Sequence, residues 1–342
     1  MQWRRRFLSI PSLAMLLACA PAQAGADTAF APLDFSLRFP AALAKFSSYG
    51  DVAGFGGASA GSRYGSGVNP ASLDWMPLPG APFAISPQVS RVSFEHGAAL
   101  RIATLSGSFG SGGYGSFQPS YARVSNEGGM AGDFLLVDGE LVQLQWGKKL
   151  DGRVAIGVNA SHSDFKTRAG FGGQLAADGD SRTDSVRGGI LWAASPQLLA
   201  GMVVDYASGR STSSLFDPGC GCFGRFDDRS RSASARVGLS YEYAPRSSLY
   251  ADYLVGRYRN ELGSMLSRTA MAGAEHLVLP WLYLRAGVAY ELRGAWGKTV
   301  GIGITPTKTV SIDLAFQRDM FPELHPEFGH STLANLSVSV AF

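Results

Sequence analysis

The sequence predicts an all-β protein: a transmembrane antiparallel β-barrel of about 14 strands, with an N-terminal hatch in its lumen. Three observations carry that prediction. From about residue 83, apolar residues alternate with polar or small ones in segment after segment, the period-two pattern of strands with two unlike faces. The segments run to about ten residues, the length that crosses a bilayer at a tilt. Aromatic residues, among them Tyr206, Tyr241, Tyr243, Trp281 and Tyr290, collect toward segment ends, as an interfacial girdle requires.

The chain opens MQWRRRFLSIPSLAMLLACAPAQAGA. Arg4 to Arg6 form a basic start, Phe7 to Ala20 a broken apolar stretch, and Ala22-Gln23-Ala24 a small-residue cleavage site, so residues 1–24 read as a secretory signal peptide. Leu16-Leu17-Ala18-Cys19 also fits a lipobox that would leave Cys19 lipidated. A barrel embedded in lipid has little need of an anchor, which favours cleavage after Ala24. Cleavage removes three of the 30 basic residues and leaves them equal to the 27 acidic ones, which offers nucleic acid no electrostatic footprint.

Residues 25–80 do not follow the alternation. Pro40 to Ser48, PAALAKFSS, reads as a short helix with proline at its start, and a glycine-rich run, Gly56 to Trp75, follows. About 55 residues fill much of a fourteen-strand lumen, whereas a free tail would expose Phe46, Phe55, Leu73 and Trp75. We therefore expect a hatch over residues 25–80 and a barrel over 81–342.

Strand segments are expected at 83–95, 98–108, 114–124, 139–149, 153–165, 184–194, 198–209, 231–243, 248–260, 267–277, 281–292, 297–305, 309–318 and 332–342. The first three have the least regular boundaries, so twelve strands is the alternative count. Turns such as Asp151-Gly152 and Ser195-Pro196-Gln197 are short, whereas 125–138, 166–183, 210–230 and 319–331 read as long polar loops. Short turns at one end and long loops at the other form the outer-membrane pattern. The expected location is the outer membrane of a Gram-negative bacterium. Cys220 and Cys222, in DPGCGCFGR, can form a local disulfide in an oxidising compartment, stay free, or supply half a metal site.

The polar face is expected to carry Arg187, Arg236, Glu242, Arg285, Glu291 and Asp313, together with Asp252. Their mixed signs suit an ion-pair network that holds the hatch, with one arginine as an alternative receptor for a ligand carboxylate. In SGSFGSGGYGSFQPSYARV, Gly112, Gly113 and Gly115 precede Pro119 within the expected third strand. Glycine loosens a ladder and proline removes a donor, so the stretch is a candidate lateral gate, or else an irregular turn and strand.

The runs GFGGASAG and GVNPASL resemble the FadL-type family of outer-membrane transporters for long-chain fatty acids and aromatic hydrocarbons, with Asn69-Pro70-Ala71 matching its N-P-A/G hatch motif. Related glycine-rich openings occur in PorV-like barrels, which serve protein secretion and supply the alternative of a non-transporting scaffold for protein partners. The resemblance implies a hatch whose Gly56 and Gly57 let the backbone pack and move, and whose Pro70 fixes a kink. It also implies passive passage of a hydrophobic small molecule, with exit sideways into lipid, and no cofactor. The C-terminal NLSVSVAF, ending at Phe342, resembles the signal read by the barrel assembly machinery. The protein is expected to work as a monomer.

Enzymatic readings are set aside. GSGGYG matches a nucleotide-binding glycine pattern without the strand–turn–helix it needs. His162 and Asp164 share one strand face while Ser163 points to the other, which spoils a local nucleophile–base pair. The five histidines show no metal spacing in sequence, although His325 and His330 stand close; no metal site is expected. The loop DMFPELHPEFGH puts Met320, Phe321, Leu324 and Phe328 at the outer end, either collecting ligand or folding over the mouth.

Overall fold

The structure is a computed structural model, and it describes residues 50–54, 56–63, 65–75, 83–95, 99–110, 112–126, 134–171, 174–217, 222–261, 263–292, 294–325 and 329–342. The expected signal peptide, the helix at Pro40 to Ser48, Phe46, Phe55, Cys220 and Phe328 lie outside these residues. Fourteen antiparallel strands close into one barrel: β1 (Phe83–Phe94), β2 (Ala99–Gly110), β3 (Ser116–Asn126), β4 (Phe134–Lys149), β5 (Val154–Phe171), β6 (Gln174–Ala193), β7 (Leu198–Asp217), β8 (Cys222–Ala244), β9 (Ser247–Arg259), β10 (Ser264–Leu279), β11 (Leu282–Glu291), β12 (Ala295–Ile304), β13 (Val310–Arg318) and β14 (Ser331–Ala341). The seam joins β1 to β14, from Ala84 opposite Ala341 to Phe94 opposite Ser331. Closure removes every free sheet edge, which a membrane interior demands because it holds no water to satisfy backbone groups.

The alternation sorts side chains as a membrane barrel needs. Val142, Leu144, Val158, Ile190, Met202, Val204, Val237, Leu239, Val300, Ile302, Leu314 and Phe316 stand exposed on the outer face. Gln88, Gln145, Asn159, Arg236, Asp252, Arg285 and Gln317, from intervening positions, are buried inside. A soluble barrel would invert that order; exposed apolar residues outside and polar ones inside mark an outer-membrane-type barrel. Near the short-turn end the exposed aromatics Trp192, Tyr241, Tyr243, Trp281 and Phe342 form one girdle.

The expected loops differ from the structure in one respect. Most of 166–183 and 210–230 is strand, because β5 runs to Phe171, β6 starts at Gln174, β7 runs to Asp217 and β8 starts at Cys222. Within 125–138, β4 already begins at Phe134. Along β5 the exposed outer face changes from Val158 to His162, Lys166 and Arg168. Across from it, Arg182 pairs with Asp164 at 3.0 Å and Asp178 with Arg168 at 3.4 Å. These hairpins therefore rise beyond the apolar band into water. Cys222 at the tip is disulfide-bonded.

Candidate functional site

The described residues of 50–75 lie within the barrel and reach both sides of it. A short helix, α1 (Gly50–Gly54), packs against β11 to β14, and the 3-10 turn Pro70–Asp74 packs against β3 to β6. Between them Gly56 and Gly57 adopt φ of 77° and 76°, a left-handed conformation that lets the chain reverse after α1. Val52, Ala53, Ala58, Ser59, Ala60, Ser62, Asn69, Ala71 and Ser72 have no exposed surface at all.

Asn69 is the junction of this segment. Its side chain caps the 3-10 turn by accepting from the Ala71 N–H at 3.1 Å. Its amide nitrogen donates to the Ala60 carbonyl at 2.7 Å and to the Ile190 carbonyl of β6 at 3.0 Å. Pro70 follows at the first position of the turn, where no N–H is needed. Asparagine suits this place because one planar amide supplies an acceptor for the turn, a donor for the Ala60 carbonyl of the same segment and a donor for the β6 wall.

The wall beneath is built from glycine. Gly147 of β4 pairs with Gly157 of β5, which pairs with Gly189 of β6, while Gly201 of β7 pairs with Gly238 of β8. A Cβ at Gly147 would stand 2.6 Å from the Pro70 carbonyl oxygen. One at Gly157 would strike the Pro70–Ala71 peptide, one at Gly189 the Asn69 amide, and one at Gly201 the Ala60 carbonyl. Five adjacent strands thus lower their inner face to seat residues 60–71. Opposite, a Cβ at Gly301 of β12 would come within 2.8 Å of the Gly54 Cα.

Charges fasten the same segment. Arg236 and Asp252, both buried, pair at 2.7 Å. The guanidinium also donates to the Gly57 carbonyl, and the carboxylate accepts from the Ala60 N–H at 2.8 Å. Arg187 pairs with Asp205 at 2.8 Å and donates to the Gly67 carbonyl at 3.1 Å. Arg285 pairs with Glu275 and with Asp313, each at 2.6 Å, beside α1. Thr299 donates to the Gly54 carbonyl at 2.9 Å and Gln317 to that of Ala53 at 2.8 Å. A buried ion pair is worth little as an isolated couple, because desolvation opposes it. Here the pairs present oriented donors and acceptors to the backbone of a segment that has no sheet to join.

Each expected polar residue has an inward placement. Glu242 is half-buried near Arg63, with 3.9 Å between them, and Glu291 accepts from Ser267 at 3.1 Å and Thr269 at 2.8 Å. The sequence reading missed the glycine seat, Glu275, and Asp74, which accepts from Ser116 at 2.6 Å and from the Lys149 N–H at 2.8 Å. The available signal was a glycine at an inward position in QWGKK, AIGVN, RGGIL, LAGMV and RVGLS.

The stretch Gly112 to Pro119 divides into two parts. Gly112–Tyr114 is a 3-10 turn between β2 and β3, and Gly115, with φ 94°, leads into β3. Pro119 lies in β3 with its ring on the outer face, opposite Leu144 of β4. On the β2 side the ladder pairs Ser106 with Ser120 and resumes only at Phe109 with Phe117. A second interruption lies at the seam, where pairing stops at Ile85 with Val340 and resumes at Gln88 with Ser337, around Pro87. A proline removes one ladder donor in each case.

At the outer mouth, residues 319–325 pack inward. Met320, Phe321 and Leu324 are buried in the same apolar cluster as Val52, Tyr250, Met271 and Leu333, so this stretch folds over the mouth. A concave apolar groove of about 910 Å³ lies on the outer wall, lined by Val89, Leu284, Val300, Ile302, Leu314 and Phe316 of β1 and β11 to β13 among others. It faces lipid, not the inner segment. His162 pairs with Asp184 across β5 and β6 at 2.8 Å.

No protein-family model matches the sequence, and no curated protein matches it. Solved structures do. The Ralstonia pickettii toluene transporter TbuX superposes with a TM-score of 0.61 at 14% identity, over 90% of this chain and 100% of that one. The Pseudomonas putida toluene transporter TodX gives 0.57 at 16%, over 88% and 99%. A Pseudomonas aeruginosa FadL homologue gives 0.53 at 12%, over 90% and 98%. These neighbours lend the PorV-like scaffold reading no support. The chain has the fold of the FadL-type hydrocarbon transporters, shared along nearly the whole length of each.

Proposed function

We propose that this protein is an outer-membrane channel through which hydrophobic small molecules, aromatic hydrocarbons or fatty acids, move passively down their gradient, with residues 50–75 acting as the gate. The observation that carries the reading is a lumen crossed from wall to wall by a segment held to the barrel wall through hydrogen bonds and backbone packing. A general porin needs an open water column, and this lumen is occupied. The segment rests on wall glycines and is fastened by side-chain hydrogen bonds that can break one at a time, which supports a segment able to shift. The toluene transporters TbuX and TodX share the fold, which supports the same class of cargo.

A greasy molecule gains about 0.8 kcal/mol for each CH₂ returned to lipid, so release through the wall is favoured over release into water. The interrupted β2–β3 ladder beside Pro119 is the proposed exit. No catalytic step, cofactor or metal belongs to this reading; the chain works as a monomer, inserted by the barrel assembly machinery through the strand ending at Phe342.

The test is uptake of radiolabelled toluene and palmitate by cells carrying the full chain or a chain lacking residues 25–80. Heat-modifiable mobility verifies folding of each. The full chain should raise uptake of at least one ligand, and the deletion should admit large hydrophilic antibiotics through the emptied lumen. A correctly folded full-length barrel that raises uptake of neither ligand would overturn the proposal.

A further inference from the structure

The connection from β13 to β14 carries a cluster that the channel reading does not use. Asp319 follows β13 with φ 57°, in the left-handed region. One carboxylate oxygen lies 3.2 Å from His325 Nε2 and 3.0 Å from His330 Nδ1. The two imidazoles meet edge to face with centroids 4.7 Å apart. The three ligating atoms all lie within 4.8 Å of one another. Sequence spacing hid this group, because the convergence depends on the Asp319 backbone and on the 3-10 turn Pro322–Leu324.

The Asp319 carboxyl is held below the ordinary carboxylate value. Burial alone would raise it, and the bonds and charge of His330 and His325 more than offset that. The backbone is fixed as well: the Asp319 N–H donates to the Ser331 carbonyl at 2.8 Å, and the Ser331 N–H returns to the Asp319 carboxylate at 3.2 Å. The carboxylate anchored in this way presents one oxygen to both rings.

We propose that Asp319, His325 and His330 form a binding site for a divalent transition-metal ion of the zinc type. In a tetrahedral zinc site with bonds of about 2.0–2.1 Å, neighbouring ligand atoms stand about 3.3 Å apart. The two O···N distances of 3.0 and 3.2 Å already approach that edge. On binding, each ring takes the tautomer protonated on its other nitrogen, the second proton of an imidazolium passing to water; the freed His325 Nε2 and His330 Nδ1 then bond the metal in place of their contacts with the Asp319 carboxylate, which stays ionised. Two imidazoles with one carboxylate select zinc-type ions over magnesium or calcium, which take oxygen sets. His330 is half exposed, so water completes the coordination.

The ion would fasten three points: the end of β13, the residue after the 3-10 turn and the start of β14. Between the first two lie Met320, Phe321 and Leu324, seated in the mouth, so bound metal would hold residues 319–325 in place.

The test is calorimetric titration of zinc into the untagged, detergent-folded full chain, with magnesium as control. One ion should bind, and H325A and H330A should each weaken it at least about tenfold, since loss of even a supporting partner costs 10–100-fold. H162A with H276A should bind as the parent does. Cobalt should give the visible bands of a low-coordinate nitrogen–oxygen site in the parent and lose them in H325A/H330A. Zinc should also slow amide exchange across Met320 to His325. Equal zinc binding by parent and double variant, or none by either, overturns the site. Binding without slowed exchange overturns its fastening role.

Discussion

At the scale of the residue, Asn69 does more than a motif position suggests. It joins the 3-10 turn to the Ala60 carbonyl and to β6 through three hydrogen bonds, and is itself without exposed surface. Each such bond is worth about 1 kcal/mol net, and a stranded buried carbonyl costs about 1–3 kcal/mol. Asn69→Ala should therefore loosen residues 56–75 by a few kcal/mol. It touches no ladder hydrogen bond, so the barrel itself should keep its unfolding temperature. Limited proteolysis in detergent should show new cleavage between Gly56 and Trp75 while thermal unfolding stays within a few degrees of the parent. A barrel melting point that fell instead would make Asn69 a structural brace of the wall. The Arg236–Asp252 pair behaves differently, because removing one partner leaves a buried charge, a loss of about 3–5 kcal/mol.

At the scale of the element, the strands were legible where lipid imposes the pattern and illegible where it does not. Val237, Leu239 and Tyr241 alternate with Arg236, Gly238 and Ser240 because one face meets lipid and the other the lumen. Beyond Arg231 both faces of β8 meet water, the apolar signal vanishes, and a strand reads as a polar loop. The seat was hidden for another reason. Gly201 and Ala60 are 141 residues apart, and no local pattern records that a backbone passes over a glycine. Proline was legible, and β3 is where its effect can be tested. Pro119→Ala restores one N–H toward β2, where pairing skips from Ser106–Ser120 to Phe109–Phe117. If ligand leaves by that gap, closing it should lower toluene uptake several-fold with heat-modifiable mobility unchanged. Uptake equal to the parent, in a folded variant, removes β3 as the exit.

At the scale of the whole molecule, closure joins the two ends of the sheet, so the last residue and the first strand form one piece of structure. The Phe342 N–H donates to the Phe83 carbonyl at 2.8 Å, and the two rings stack at 6.3 Å between centroids. Phe342 is also 65% exposed, facing lipid at the short-turn end, where a terminal aromatic is available to another protein before the seam shuts. Those two roles separate by experiment. A chain lacking Phe342 loses one backbone hydrogen bond and one ring contact from the seam, about 1–2 kcal/mol against the full β1–β14 ladder. Refolding into detergent should thus proceed to nearly the parental yield. If the assembly machinery reads Phe342, as proposed, the same chain should reach the outer membrane of cells several-fold less. Equal losses in detergent and in cells would assign Phe342 to seam closure alone, and an undiminished yield in cells would remove it from recognition.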